Sequence, residues 1–121
     1  FPKGINQQAL ATAPAVAYDQ KDEMHIDYIE QIFGLKKGSY PCHTVRSSEA
    51  FVNFAKHGIA YCLIPKLQIQ AELDAKELVS LMPEHQIIRT LYWHHWVLLK
   101  GVFKTFSTAI VARARHALNN Q

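Results

Sequence analysis

The chain has 121 residues, is 49% hydrophobic and 19% charged, and carries a net charge of +3. That is enough apolar material for one packed core, and too much for a disordered segment. Five Gly and five Pro exclude collagen-like and low-complexity sequence. The apolar runs fall far short of the roughly 20 residues of a membrane span, and no signal-peptide core is visible, so no membrane partner is expected.

The thirteen Lys and Arg are scattered, and the longest basic run is Lys36-Lys37. Nucleic-acid surfaces gather such charge on one face, so direct DNA contact is not expected of this chain. Two cysteines, Cys42 and Cys62, are too few for a disulfide scaffold and read as buried, reduced thiols of a cytosolic protein. The opening Phe1-Pro2-Lys3-Gly4 has no initiator Met and reads as the interior of a longer protein.

In chain order, Phe1 to Thr12 is polar and irregular. Ala13 to Tyr18 is an apolar run with the length of a buried strand, ended by Asp19. Asp22 and Glu23 open a helix, where acidic residues meet the positive end of its dipole. Tyr28, Ile29, Ile32 and Phe33 form its apolar face, and Gly34 and Gly38 mark its end. Cys42 to Val45 is a second strand, and a hydroxyl in Arg46-Ser47-Ser48-Glu49 caps the next helix, which carries Phe51 and Phe54 and closes at Gly58. Ile59 to Ile64 is a third strand stopped by Pro65, and Leu67 to Leu78 a further helix. Arg89 to Leu99 alternates as a strand, with Tyr92, His94 and Trp96 on one face. Val102 to Leu118 keeps helical spacing to the end.

Strands alternating with helices imply an α/β fold with a mainly parallel sheet and helices on both faces. Ligands of such sheets sit beyond the carboxyl ends of the strands, beside helix N-termini. Two such ends stand out, Tyr18-Asp19-Gln20 and Val45-Arg46-Ser47-Ser48. Ser47 and Ser48, with free backbone N–H groups, suit an anionic group such as an α-carboxylate. Asp19, Asp22 and Glu23 suit a cationic one. The competing roles are plain ones: a serine that only caps a helix, and acids that only solvate its start.

Other chemistry finds little support. Ser47 and Ser48 lack a G-x-S-x-G elbow, and Cys42 and His43, as neighbours on a strand, point to opposite faces, so no catalytic residue is expected. No metal-ligand spacing joins the histidines and cysteines, and no phosphate-binding glycine motif occurs, so neither metal nor cofactor is expected.

The run Tyr40-Pro41-Cys42-His43-Thr44-Val45-Arg46-Ser47-Ser48-Glu49-Ala50-Phe51-Val52 resembles the effector-binding domain of LysR-type transcriptional regulators, and within them the branch governing arginine export. Asp22 to Tyr28, Leu63 to Ile69 and Leu91 to His94 support it, as does a helix ending in Gly58 followed by an apolar strand and Pro65. The resemblance implies one lobe of a two-lobed, periplasmic-binding-protein-like domain. Residues 1–13 would enter from a first lobe outside this chain. Residues 14–90 would form the second lobe, and 91–121 a crossover strand and a C-terminal helix returning to the first.

It further implies a cytoplasmic, non-catalytic regulator that senses a small molecule, with lysine or arginine as the effector. DNA would be bound through an N-terminal domain outside this chain, and the full-length protein would be a homo-oligomer. Asp19, Gln20, Asp22, Arg46, Ser47 and Ser48 are the cleft candidates. The rival expectation is an amino-acid solute-binding protein of the cell envelope with the same architecture.

Overall fold

The computed structural model describes residues 1, 4–98 and 100–119. The chain divides after Pro83 into two compact units.

The first unit is organised around β1 (Ala15–Ala17), whose three residues are all buried. Small side chains let other elements approach it closely, and burial of consecutive strand residues requires cover on both faces. β1 pairs in parallel with β2 (Cys42–Thr44), placing Ala15 opposite Cys42 and Ala17 opposite Thr44. On its other side Tyr61 makes a parallel bridge to Ala15. There the Val16 N–H donates to the Tyr61 carbonyl at 2.9 Å, and the Tyr61 N–H to that of Pro14 at 3.0 Å. β1 is therefore central. The crossover from β1 to β2 runs one way across it, and the crossover from β2 to Tyr61 runs back. With right-handed connections, these two crossovers lie on opposite faces.

The helices that make these crossovers are α2 (Glu23–Phe33) and α3 (Ser48–Lys56); a short α1 (Gln7–Thr12) precedes β1. Asp22 caps α2, and Gly34 ends it in the left-handed conformation at φ 68°, its N–H donating to the Glu30 carbonyl. α2 buries His25 and Ile29, and α3 buries Phe51. Leu10, Ala15, Ile29, Leu35 and Tyr40 form the main apolar cluster.

Four sequence expectations change in this unit. The stretch read as irregular before Ala13 contains α1, because the Asn6 side chain accepts the Ala9 N–H at 2.8 Å and Leu10 is buried in the core; Pro2 and Lys3 lie outside the described residues. The third strand, Ile59 to Ile64, contracts to the bridge at Tyr61. The helix expected over Leu67 to Leu78 is a 3₁₀ turn (Lys66–Gln68) and a short α4 (Gln70–Asp74); Lys76, at φ 58°, turns the chain out of the helix. Finally, Cys42 is exposed and Cys62 half-buried, rather than both buried.

The second unit contains α5 (Val102–Asn119), preceded by Gly101 at φ 62°. Residues 91–98, expected as a strand, are irregular and exposed; Leu99 lies outside the described residues. Alternating aromatics favour a strand only where a neighbouring ladder receives them, and no described segment pairs with this one. The Trp93 indole N–H instead donates to Ser107 Oγ of α5 at 2.7 Å. Trp93, His95, Trp96, Phe103, Phe106 and Ser107 line a groove of about 190 Å³ there.

Candidate functional site

The parallel register of β1 and β2 brings their carboxyl ends to one edge of the sheet. The Val45 N–H donates to the Ala17 carbonyl at 3.0 Å, so the turns after Tyr18 and after Val45 leave the sheet side by side. Each turn runs into a helix N-terminus, α2 in one case and α3 in the other. Free backbone N–H groups and the positive ends of two helix dipoles therefore lie at this edge.

The first turn is built by its own carboxylates. Asp19 Oδ1 accepts the Lys21 N–H at 2.8 Å, and the Asp19 carbonyl accepts the Asp22 N–H at 3.3 Å. Asp22 accepts twice: Oδ2 takes the Tyr18 N–H at 3.1 Å, and Oδ1 takes the His25 N–H at 3.3 Å. Its carboxylate thus ties the end of β1 to the first turn of α2. Gln20 is exposed, and its carbonyl accepts Lys37 Nζ at 2.6 Å, which brings an ammonium to the acidic turn.

The second turn is simpler. Ser47 caps α3, its Oγ accepting the Ala50 N–H at 3.3 Å while its carbonyl accepts the Phe51 N–H at 2.9 Å. Ser48 is the first residue of α3, and Arg46, Ser47 and Ser48 are all exposed. The edge offers a hydroxyl-bearing, cation-flanked helix start next to an acidic turn. That pairing suits a small zwitterion whose side chain carries a further positive charge. All six candidates fall at this edge, and two of them, Asp22 and Ser47, also act as helix caps.

Behind the edge lies a residue that the sequence reading passed over. His25 sits in the first turn of α2 and is only 2% exposed. Its ring lies 6.1 Å from that of Tyr40 and 6.5 Å from that of Tyr61. Burial lowers its pKa from the ordinary histidine value, against the attraction of Asp22. The signal was present: His25, Ile29 and Phe33 recur at intervals of four, which places the imidazole on the apolar face. Burial pushes the Cys62 thiol up to about 12, so it stays protonated at neutral pH. No group of three or more possible metal-ligating side chains occurs among the described residues.

Comparison with known proteins gives the geometry its context. No protein-family model matches the chain. It is 52% identical over 118 residues to the HTH-type transcriptional regulator ArgP of Aeromonas salmonicida, and 51% identical over 118 residues to that of Photobacterium profundum. Each alignment covers 98% of this chain and 40% of the relative. A solved structure of the C-terminal domains of a LysR family protein from Agrobacterium tumefaciens superimposes with a TM-score of 0.62 at 33% identity. That match covers 69% of this chain and 40% of the other. The chain is thus similar to part of the LysR-family regulators. The chain spans about 40% of the length of the ArgP relatives it matches. The fold class is the α/β lobe of a LysR effector-binding domain, with its parallel pairing centred on β1. Among the described residues, no helix is long and apolar enough to cross a membrane.

Proposed function

We propose that this chain senses a small effector on behalf of a LysR-type transcriptional regulator. Residues 14–90 supply the second lobe of the effector domain. Residues 1–13 lead in from a first lobe, and 91–121 return to it. The effector is lysine or arginine. Its α-carboxylate meets the start of α3 at Ser47 and Ser48, with Arg46 adding positive charge. Its cationic end meets the turn of Asp19, Gln20 and Asp22. The full-length regulator acts in the cytoplasm as a homo-oligomer, contacts DNA through a domain outside this chain, and catalyses no reaction.

The observation that carries this reading is the shared edge: the two turns the sequence marked for opposite charges emerge side by side from a parallel pair. An envelope solute-binding protein would use the same edge, but the ArgP relatives are regulators, which favours the first reading. Calorimetric titration of the full-length protein with L-lysine and L-arginine tests it. Saturable heat with at least one of them is expected. No heat and no thermal shift with either removes the effector assignment. Ser47→Ala is expected to weaken binding, and unchanged affinity makes Ser47 a cap alone.

A further inference from the structure

The core beneath the candidate cleft contains two polar atoms without partners. His25 Nε2 and the Tyr61 hydroxyl are both shut off from solvent, and neither makes a hydrogen bond. The His25 and Tyr61 rings stack with planes 25° apart, while Tyr40 approaches His25 at 52°. The other six histidines, His43, His57, His85, His94, His95 and His116, are all exposed. Of the seven histidines, His25 alone is buried.

The surroundings accept a neutral imidazole and resist a charged one. From its own helix His25 meets Asp22, whose two oxygens already accept the Tyr18 and His25 N–H groups, and the exposed Glu23 lies in the same turn. The segment entering β2 brings Tyr40, with Cys42 electrostatically coupled to it; burial is the first cause that raises both groups, so both are uncharged near neutral pH. The third segment brings Tyr61, raised by burial in the same way. α1 (Gln7–Thr12) carries no titratable residue. An imidazolium here would lie at the positive end of the α2 dipole, in a site that gives its Nε2 no acceptor.

We propose that His25 is an acid-sensitive pin for the Asp22 turn: while neutral it keeps the first turn of α2 seated against Tyr40 and Tyr61, and its protonation releases that turn from the edge of the sheet. The link is Asp22, which bonds both the His25 backbone and the end of β1. Swinging out one helical turn exposes far less core than unfolding the whole unit, so the pin yields first and the turn follows. The functional consequence rests on the cleft reading above: acid would weaken the half of the pocket that receives the cationic end of the effector.

The test is amide hydrogen exchange on the 121-residue chain between pH 7.5 and 5, with no effector present. The opening equilibrium is corrected for intrinsic exchange rates. At Tyr18 and His25, opening is expected to rise as the pH falls below about 6.5, with Phe51 of α3 less open at every pH. His25→Gln is expected to abolish the slope. In the wild type, the His25 ring signal should titrate below the ordinary histidine value, a measurement that stands even where the variant does not fold. A flat profile at Tyr18 and His25, an opening equilibrium at Phe51 as large as theirs, an unchanged slope in H25Q, or a His25 ring that titrates at or above the ordinary histidine value would each overturn the pin. Because no effector is used, such a result leaves the cleft reading intact. Failure of the cleft reading appears instead in the titration of the full-length protein.

Discussion

The two units of this chain use similar side chains in opposite ways. Before Pro83, Leu10, Ala15, Val16, Ile29 and Leu35 are buried around a pair of parallel strands. After it, Leu91, Tyr92, Trp96, Leu98, Val102 and Phe103 stand in solvent, and Ile88 and Val97 are each 93% exposed. The contrast follows from what each segment has to pack against. The first has a central strand covered on both faces, while the second has one long helix and an irregular aromatic stretch. Hydrophobic composition supplies the drive to bury surface, but only a partner element turns that drive into a core.

Mutations should separate the two regions by size of effect. Ile29→Ala removes a buried side chain from the main cluster and is expected to cost the first unit about 2–5 kcal/mol, read by urea unfolding. Asp22→Ala removes the α2 cap and the bond to Tyr18 together. About 0.5–2 kcal/mol is expected, with faster amide exchange at Tyr18 and His25 as the specific mark. Ser47→Ala removes one cap from α3 and should cost about 1 kcal/mol in the same assay. Trp93→Phe deletes the bond to Ser107 and should lower stability by about 0.5–1.5 kcal/mol, seen as earlier loss of α5 ellipticity. Val97→Ser, on the exposed stretch, should change stability by less than about 0.5 kcal/mol. A large loss from Val97→Ser would erase the distinction between the two regions.

The acid response gives a further separation. The folded state holds His25 below the unfolded value of 6.5 because burial disfavours its charge. At pH above 6.5 neither state binds the proton, and the stability that rests on a neutral His25 is complete. As pH falls below 6.5 the unfolded or opened state gains a proton first, and stability declines until the pH passes the lowered folded value. The first unit should therefore show this loss in pH-dependent urea midpoints, and His25→Gln should remove it.

The candidate edge was legible in the sequence because its signals are local. A short apolar run ending in Asp19, an acidic start to α2, and a serine cap before Phe51 all act within a few residues. The errors arose where distant partners decide. The α1 helix depends on Leu10 reaching the core as well as on its Asn6 cap. The apolar run at Ile59 gained only one bridge, because β1 offers it a short edge. The aromatic run after Arg89 alternates like a strand but meets no ladder among the described residues.

Periodicity, caps and glycines in the sequence were sufficient to determine the order of β1, α2, β2 and α3 and the residues that open the two turns. Those features act over one or two helical turns, where backbone hydrogen bonding and dipole charge are settled locally. Only the tertiary structure decided that the two turns share an edge, that β1 is sandwiched, and that no acceptor reaches His25 Nε2. Each of these depends on which segments, far apart in the chain, lie side by side, and that is set by strand register and by the packing of side chains no local pattern can see.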